Sequence, residues 1–158
     1  MSLKEKTNQS ETKGNTERIT FRELLFPTEI NQEFVGKFLE YKNGTTIKEL
    51  IGDLSRCLAL THSSVKSAYF ISILKETIEK AEGKNKITLI DEIIFMGLPN
   101  CLANKKYFKG DIDELKNQLN DFIEYLKKII EETPEEDFEG FKEFFENQIN
   151  DLLINVKQ

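Results

Sequence analysis

The stretch Asp111–Val156, DIDELKNQLNDFIEYLKKIIEETPEEDFEGFKEFFENQINDLLINV, decides the fold class. Ile112, Leu115, Leu119, Phe122, Leu126 and Ile129 recur in steps of three and four, which places them on one stripe of an α-helix. Asp111 with Glu114 three residues on is a start signal for that helix. A second stripe follows: Phe138, Phe141, Phe145, Ile149, Leu152 and Val156. Thr133 suits a helix cap, and Pro134 suits a first helical position because its missing N–H would be unpaired there anyway. The spacing predicts two long helices, about 111–132 and 134–156, whose two-residue link makes them antiparallel neighbours.

Working towards the N-terminus, shorter elements of the same kind appear. Ile87–Leu98, ITLIDEIIFMGL, is apolar and β-branched. A strand there would need a partner, and a lone strand is not stable, so a buried helix is expected. Its face is Leu89, Ile90, Ile93, Ile94 and Met96, with Gly97 at its end. Pro99-Asn100 then interrupts the chain, and Lys105–Gly110 reads as a loop. Ser63 or Ser64 starts an earlier helix with Phe70, Leu74, Ile78 and Ala81 in line and Gly83 closing it. Thr46 with Glu49 and Thr20 with Glu23 fit the capping-box pattern, and Thr28 is placed to cap a helix ended by Asn43-Gly44. Residues 1–18 hold too little apolar surface to offset their ordering entropy and read as a disordered polar tail. Residues 19–158 read as a single helical domain. The expected fold class is all-α, a compact bundle of five to seven helices framed by the C-terminal hairpin.

Composition agrees. A chain of 158 residues is long enough to bury a core of its own. Eight Gly and three Pro are few for a many-stranded fold. Twelve Phe and no Trp make the aromatic payload one that favours cores and apolar interfaces. Net charge is −6, but residues 111–158 hold 14 acids and 5 lysines, so that third carries −9 and the remainder +3. The acidic third would be repelled by nucleic acid and drawn to a basic protein surface. Two cysteines, Cys57 and Cys101, make no disulfide framework, and no apolar leader follows the N-terminal lysines. A reduced, cytoplasmic setting is expected, with no run approaching the length of a membrane span.

The residues that carry chemistry in enzymes are not grouped. His62 is the single histidine. It lies in Thr61-His62-Ser63-Ser64, which reads as an inter-helix turn, and is five residues from Cys57, on a different side of any shared helix. Cys57, His62 and Cys101 lack the paired spacing of a zinc site. Glu-x-x-His pairs, calcium loops, phosphate-cradling glycine loops and nucleophile elbows do not occur. Glu131 to Glu139 crowd the hairpin turn, where acids suit a helix N-terminus. No catalytic residue, metal site or cofactor is expected.

Two features could carry binding. The Phe-rich run offers Phe141, Phe144 and Phe145, with Phe144 about 100° from Phe145 around the helix, beside Glu136 and Glu139. Core packing accounts for these rings most simply; exposed, they would accept an apolar partner face, with the acids selecting a basic one. The second feature is Lys105, Lys106, Tyr107 and Lys109, where charge could meet phosphate and a ring could stack on a base. No residue string identifies a family. In size and all-helical plan the chain resembles small accessory subunits, including the helical small subunits of CRISPR effector complexes, a likeness of shape class. The expectation is a non-catalytic intracellular protein acting through protein–protein interaction, as an accessory or adaptor subunit. The alternative is a subunit of a nucleoprotein complex, touching nucleic acid through Lys105–Lys109 within the assembly. Homo-oligomerisation is compatible with either.

Overall fold

The computed structural model describes Glu29, Asn31, Glu33, Phe34 and residues 62–158. Among the described residues every regular element is helical. The polar tail, two of the capping boxes and Cys57 lie outside them. Asn31 Oδ1 accepts the Phe34 N–H at 3.0 Å, three residues on. That is the N-cap pattern at Asn31; Thr28 lies outside the described residues.

Helix α1 spans Ser64–Lys80. Ser63 is its N-cap, with Oγ accepting from Lys66 N–H at 3.3 Å. Ala81 caps its far end, so Gly83, at φ +57°, opens the next helix where it was expected to close this one. Phe70, Leu74 and Ile78 are buried from α1 into the core.

Helix α2, Lys84–Glu92, runs into a π-helical turn, Ile93–Gly97, and on into α3, Leu98–Asn104. A 3-10 turn, Lys105–Tyr107, completes the run. Residues 87–98 are thus helical as expected, but neither Gly97 nor Pro99 ends the helix. The wider turn explains how. Leu98 N–H reaches back five residues to Ile93 O, leaving Ile94 O without its α-helical donor. The π-register donor for Ile94 O would be residue 99, which is proline and has no N–H. Gln148 Nε2 supplies the bond instead, at 2.8 Å. Burial follows steps of four, Ile90–Ile94–Leu98 and Ile93–Gly97–Cys101, so Met96 is exposed and not part of the buried face. The run Lys84–Tyr107 is 24 residues, long and apolar enough to cross a membrane by length and composition, which corrects the expectation that none approaches that size. Within it Leu89, Ile90, Ile94 and Leu98 are at most 1% exposed, and Met96 and Tyr107 face outward.

Helix α4 spans Ile112–Glu132 and α5 spans Lys142–Val156. Asp111 is the N-cap of α4, its Oδ1 accepting from Glu114 N–H at 3.1 Å. Leu115, Leu119, Phe122, Ile123, Leu126 and Ile130 are all sealed from solvent, while Ile129 is half-buried. Each such side chain contributes roughly 1.5–3 kcal/mol by leaving water, which outweighs any single surface ion pair. From α5, Phe145, Ile149, Leu152 and Val156 meet this face. The start of α5 adjoins the end of α4: Lys142 Nζ donates to Thr133 O at 2.6 Å and Glu131 O at 3.2 Å. Lys116 Nζ, near the start of α4, lies 3.5 Å from Gln158 O. The two helices are thus antiparallel.

The link between them is not two residues long. Pro134 disfavours helical backbone at Thr133, which is extended at φ −96°, ψ 133°, and Thr133 Oγ1 bonds back to Ile129 O at 2.7 Å. Thr133 therefore ends α4 and does not start α5. Glu135–Phe138 form a 3-10 turn, and Glu139 and Gly140 take left-handed φ of 51° and 89° before α5 begins at Lys142. The anticipated stripe from Phe138 is broken at that reversal. Glu135 Oε2 still serves a helix N-terminus, accepting from Lys142 N–H at 3.4 Å.

Helix α1 is tied to α4 by Gln118 Nε2, which donates to Ser64 O at 2.9 Å, and by Tyr125. The Tyr125 hydroxyl lies 3.3 Å from Lys75 O and 3.2 Å from Glu79 Oε2. Burial holds this phenol above its ordinary pKa, and the charge and hydrogen bond of Glu79 raise it further.

Two expected outcomes follow from these ties. Gln148→Leu should cost about 1–3 kcal/mol by orphaning the Ile94 carbonyl. In a Pro99→Ala background, where position 99 regains an N–H, the same change should cost about 1 kcal/mol less. Urea denaturation of the four proteins measures this, and an equal cost in both backgrounds would reject the account. For Tyr125, the phenol titrates higher in the folded chain than the unfolded value of about 10, so its contribution is complete below that pH. It declines as pH rises, because the unfolded chain releases the proton first. Tyr125→Phe should lower stability by about 1 kcal/mol at neutral pH. Its deficit should shrink in urea melts as pH is raised past about 10.

Candidate functional site

One face of α2 and the turn leading into α5 form the walls of an open groove of about 380 Å³. Lys84, Ile87, Thr88, Asp91 and Phe95 supply the first wall. Their spacing of three, one, three and four is a single helical stripe. Asp137, Phe138 and Glu139 supply the facing wall, with Phe141, Phe144 and Phe145 from the start of α5.

The floor is a chain of rings. Phe144 stacks on Phe95 with centroids 5.1 Å apart and planes at 15°. Phe95 meets the edge of Phe145 at 5.4 Å, and Phe145 meets Phe138 at 4.9 Å. Such pairs contribute about 0.5–1.5 kcal/mol each beyond their burial. Phe138 and Phe145 are buried, whereas Phe141 and Phe144 are 60% and 61% exposed. The local chain explains the division. The 3-10 turn tucks Phe138 inward; Phe141 sits in the N-cap position of α5, outside the helix proper; and Phe144 is one helical step away from the buried Phe145. The simpler expectation that these rings are core therefore fails for Phe141 and Phe144.

The rim is acidic. Asp137 and Glu139 stand on one side and Asp91 on the other. Lys84 Nζ lies 3.9 Å from Glu139 Oε1 with both side chains largely in solvent, so this pair adds little to stability. Among the sequence-predicted residues, Phe141, Phe144, Phe145 and Glu139 come together here. Glu136 does not line the groove; it is exposed on the same turn, and its neighbour Asp137 takes that place. Phe95 and Ile87 were missed. Their signal was present in the four- and eight-residue steps from Ile87 through Asp91 to Phe95, but it reads as one face of a helix with no indication of what faces it.

The basic segment is dispersed. Lys105 Nζ donates to Asn155 O of α5 at 2.9 Å, and burial, then the charge of Lys116, holds its pKa below the usual lysine value. Lys106 lies over the Tyr107 ring at 5.2 Å, with Tyr107 56% exposed. Phe108 is buried and plugs the core. Lys109 is exposed, and its N–H donates to His62 Nδ1 at 3.0 Å. The anticipated loop is thus a 3-10 turn over Lys105–Tyr107 and a loop over residues 108–110, with Lys105 drawn off onto α5.

His62 acts as a staple. It has φ +51°, its ring lies 6.3 Å from that of Phe108, and its carbonyl sits where a Cβ on Gly110 would approach to 2.5 Å. Cys101 is buried in α3. Among the described residues no three His, Cys, Asp or Glu side chains are grouped to hold a metal ion. The chain matches no family model, no curated protein and no solved structure.

Proposed function

We propose that this chain is a non-catalytic, cytoplasmic helical protein, without a membrane role, that works as an accessory or adaptor subunit by docking another protein with a basic surface. In this reading residues 19–158 make one bundle of five to seven helices, framed by α4 and α5. The observation that supports it is the pair of exposed rings, Phe141 and Phe144, set over a groove already floored by Phe95 and Phe145. Exposed aromatic side chains that adjoin one another form a patch of the kind that marks interaction sites. Aromatic anchors in a pocket carry most of the binding energy in protein interfaces. The acidic rim favours a cationic partner and disfavours nucleic acid.

Replacing Phe141 and Phe144 together by Ser should weaken partner binding by about ten-fold or more. The helical circular dichroism should be unchanged, because neither ring is buried in the core. Affinity purification of the partner with natural and variant chains, read by mass spectrometry, checks this. Undiminished recovery with the variant would sink the proposal.

A second reading, a subunit of a nucleoprotein assembly, is supported by exposed Tyr107 beneath the Lys106 ammonium, with exposed Lys109 close by in sequence. Lys106→Glu with Lys109→Glu should then weaken nucleic-acid binding and reduce its salt slope by about one unit for each phosphate no longer neutralised. Titration of labelled single and double strands at several salt concentrations measures it, and a natural chain that shows no salt-dependent binding ends this reading.

A further inference from the structure

We infer that the groove between α2 and α5 receives the apolar face of a basic amphipathic helix about three turns long. This rests on the docking reading above and specifies its occupant.

Length comes from the first wall. From Lys84 to Phe95 the stripe rises about 16 Å at 1.5 Å per residue, the length of three helical turns. Shape comes from the two walls together. One is a helix face and the other is the first turn of α5 with the tight turn before it, so the groove lies between two ridges of side chains. A third helix can set its own ridge there. Adding an extended peptide would instead need a sheet edge to pair with, and among the described residues there is no strand.

Charge selects the flanks. Asp137 and Glu139 border the exposed rings on one side and Asp91 stands across from them, while Lys84 lies at one end beside Glu139. Exposed Glu135, Glu136 and Glu143 extend the same sign beyond the rim. A helix with Lys or Arg on both sides of its apolar stripe would bring each cation over an acid. A second copy of this chain would bring the same acids against themselves, which costs free energy and disfavours a symmetric dimer through this face. The open face of Phe144, whose other side is covered by Phe95, is where the central apolar side chain of the occupant would rest.

The test uses the full chain and three labelled peptides of about 14 residues, blocked at both ends. One carries a leucine stripe at helical spacing flanked by lysines; the second has glutamates in place of those lysines; the third is a scramble of the first that destroys the stripe. Fluorescence anisotropy should show binding of the first alone. Phe144→Ser should abolish it, and Asp137→Lys with Glu139→Lys should weaken it by about ten-fold. Equal binding of the glutamate peptide overturns the charge selection, equal binding of the scramble overturns the helical stripe, and no binding of the lysine peptide overturns the inference as a whole. Sedimentation of the natural chain and of Phe141→Ser with Phe144→Ser separates the levels. Self-association that disappears in the double variant, with the lysine peptide inert, keeps the groove as a docking surface and makes its occupant a second copy. If neither peptide nor self-association depends on these rings, and partner recovery does not either, the docking reading falls too.

Discussion

The carbonyl of Ile94 is the point on which the arrangement of helices turns. In an ordinary helix it would be met by Leu98, whose N–H is taken by Ile93, and in the wider register it would be met by residue 99, which is proline. A polar group half-withdrawn from water must find a donor from outside its own helix. Gln148 provides it, and in doing so fixes the height and rotation of α5 against the π turn. Apolar burial contributes far more free energy, yet it is non-directional, and many rotations of two greasy faces bury similar areas. One directed bond, worth about 1 kcal/mol, selects among them. The same register sets Phe95 against Phe144 and Phe145, so the donor for the carbonyl and the floor of the groove come from one placement of α5 against the π turn.

Around that point the helix ends serve one another. Lys142, at the first position of α5, covers carbonyls at the end of α4, and Glu135 meets an N–H at the start of α5. Lys105 does the same for the last turn of α5. These contacts follow the macrodipole, with cations on C-terminal carbonyls and an anion at an N-terminus. The lysines turned onto backbone carbonyls do not line the groove, whose lining holds three acids, Asp91, Asp137 and Glu139, and one lysine, Lys84.

How much of this could be read from residues alone depends on whether the governing contact is local. The α4 stripe, its Asp111 cap and the Ser63 cap of α1 were legible because spacing and capping are properties of a few consecutive residues. The helical nature of residues 87–98 was legible by elimination. Its continuation through Pro99 was not, because the compensation comes from Gln148, about fifty residues away. The start of α5 was misplaced because Thr-Pro suits a helix entrance and a helix exit equally well. Glu139-Gly140, just before the Phe-rich run, was the better clue, since glycine there permits the left-handed backbone that resets the chain. Of the site, Phe141, Phe144 and Glu139 could be singled out, but not the ring that Phe144 stacks on. The lysine loop looked coherent in sequence and is divided in space, because Lys105 answers to carbonyls at the end of another helix.

The π turn also determines where this protein can change length. A helix that loses one residue turns everything beyond the gap through about 100°. As far as Phe95 the helix presents one face to the groove and Leu89 and Ile90 to the core, and beyond it Leu98 and Cys101 continue the core face. The extra residue in the wide turn is what lets both faces point correctly at once. Deleting a residue between Lys84 and Asn104 would force a choice between them. Among descendants of this sequence the count of residues along that helix would be inherited unchanged, and a change of length within it would be seen only together with a change in the groove or in the core beyond it.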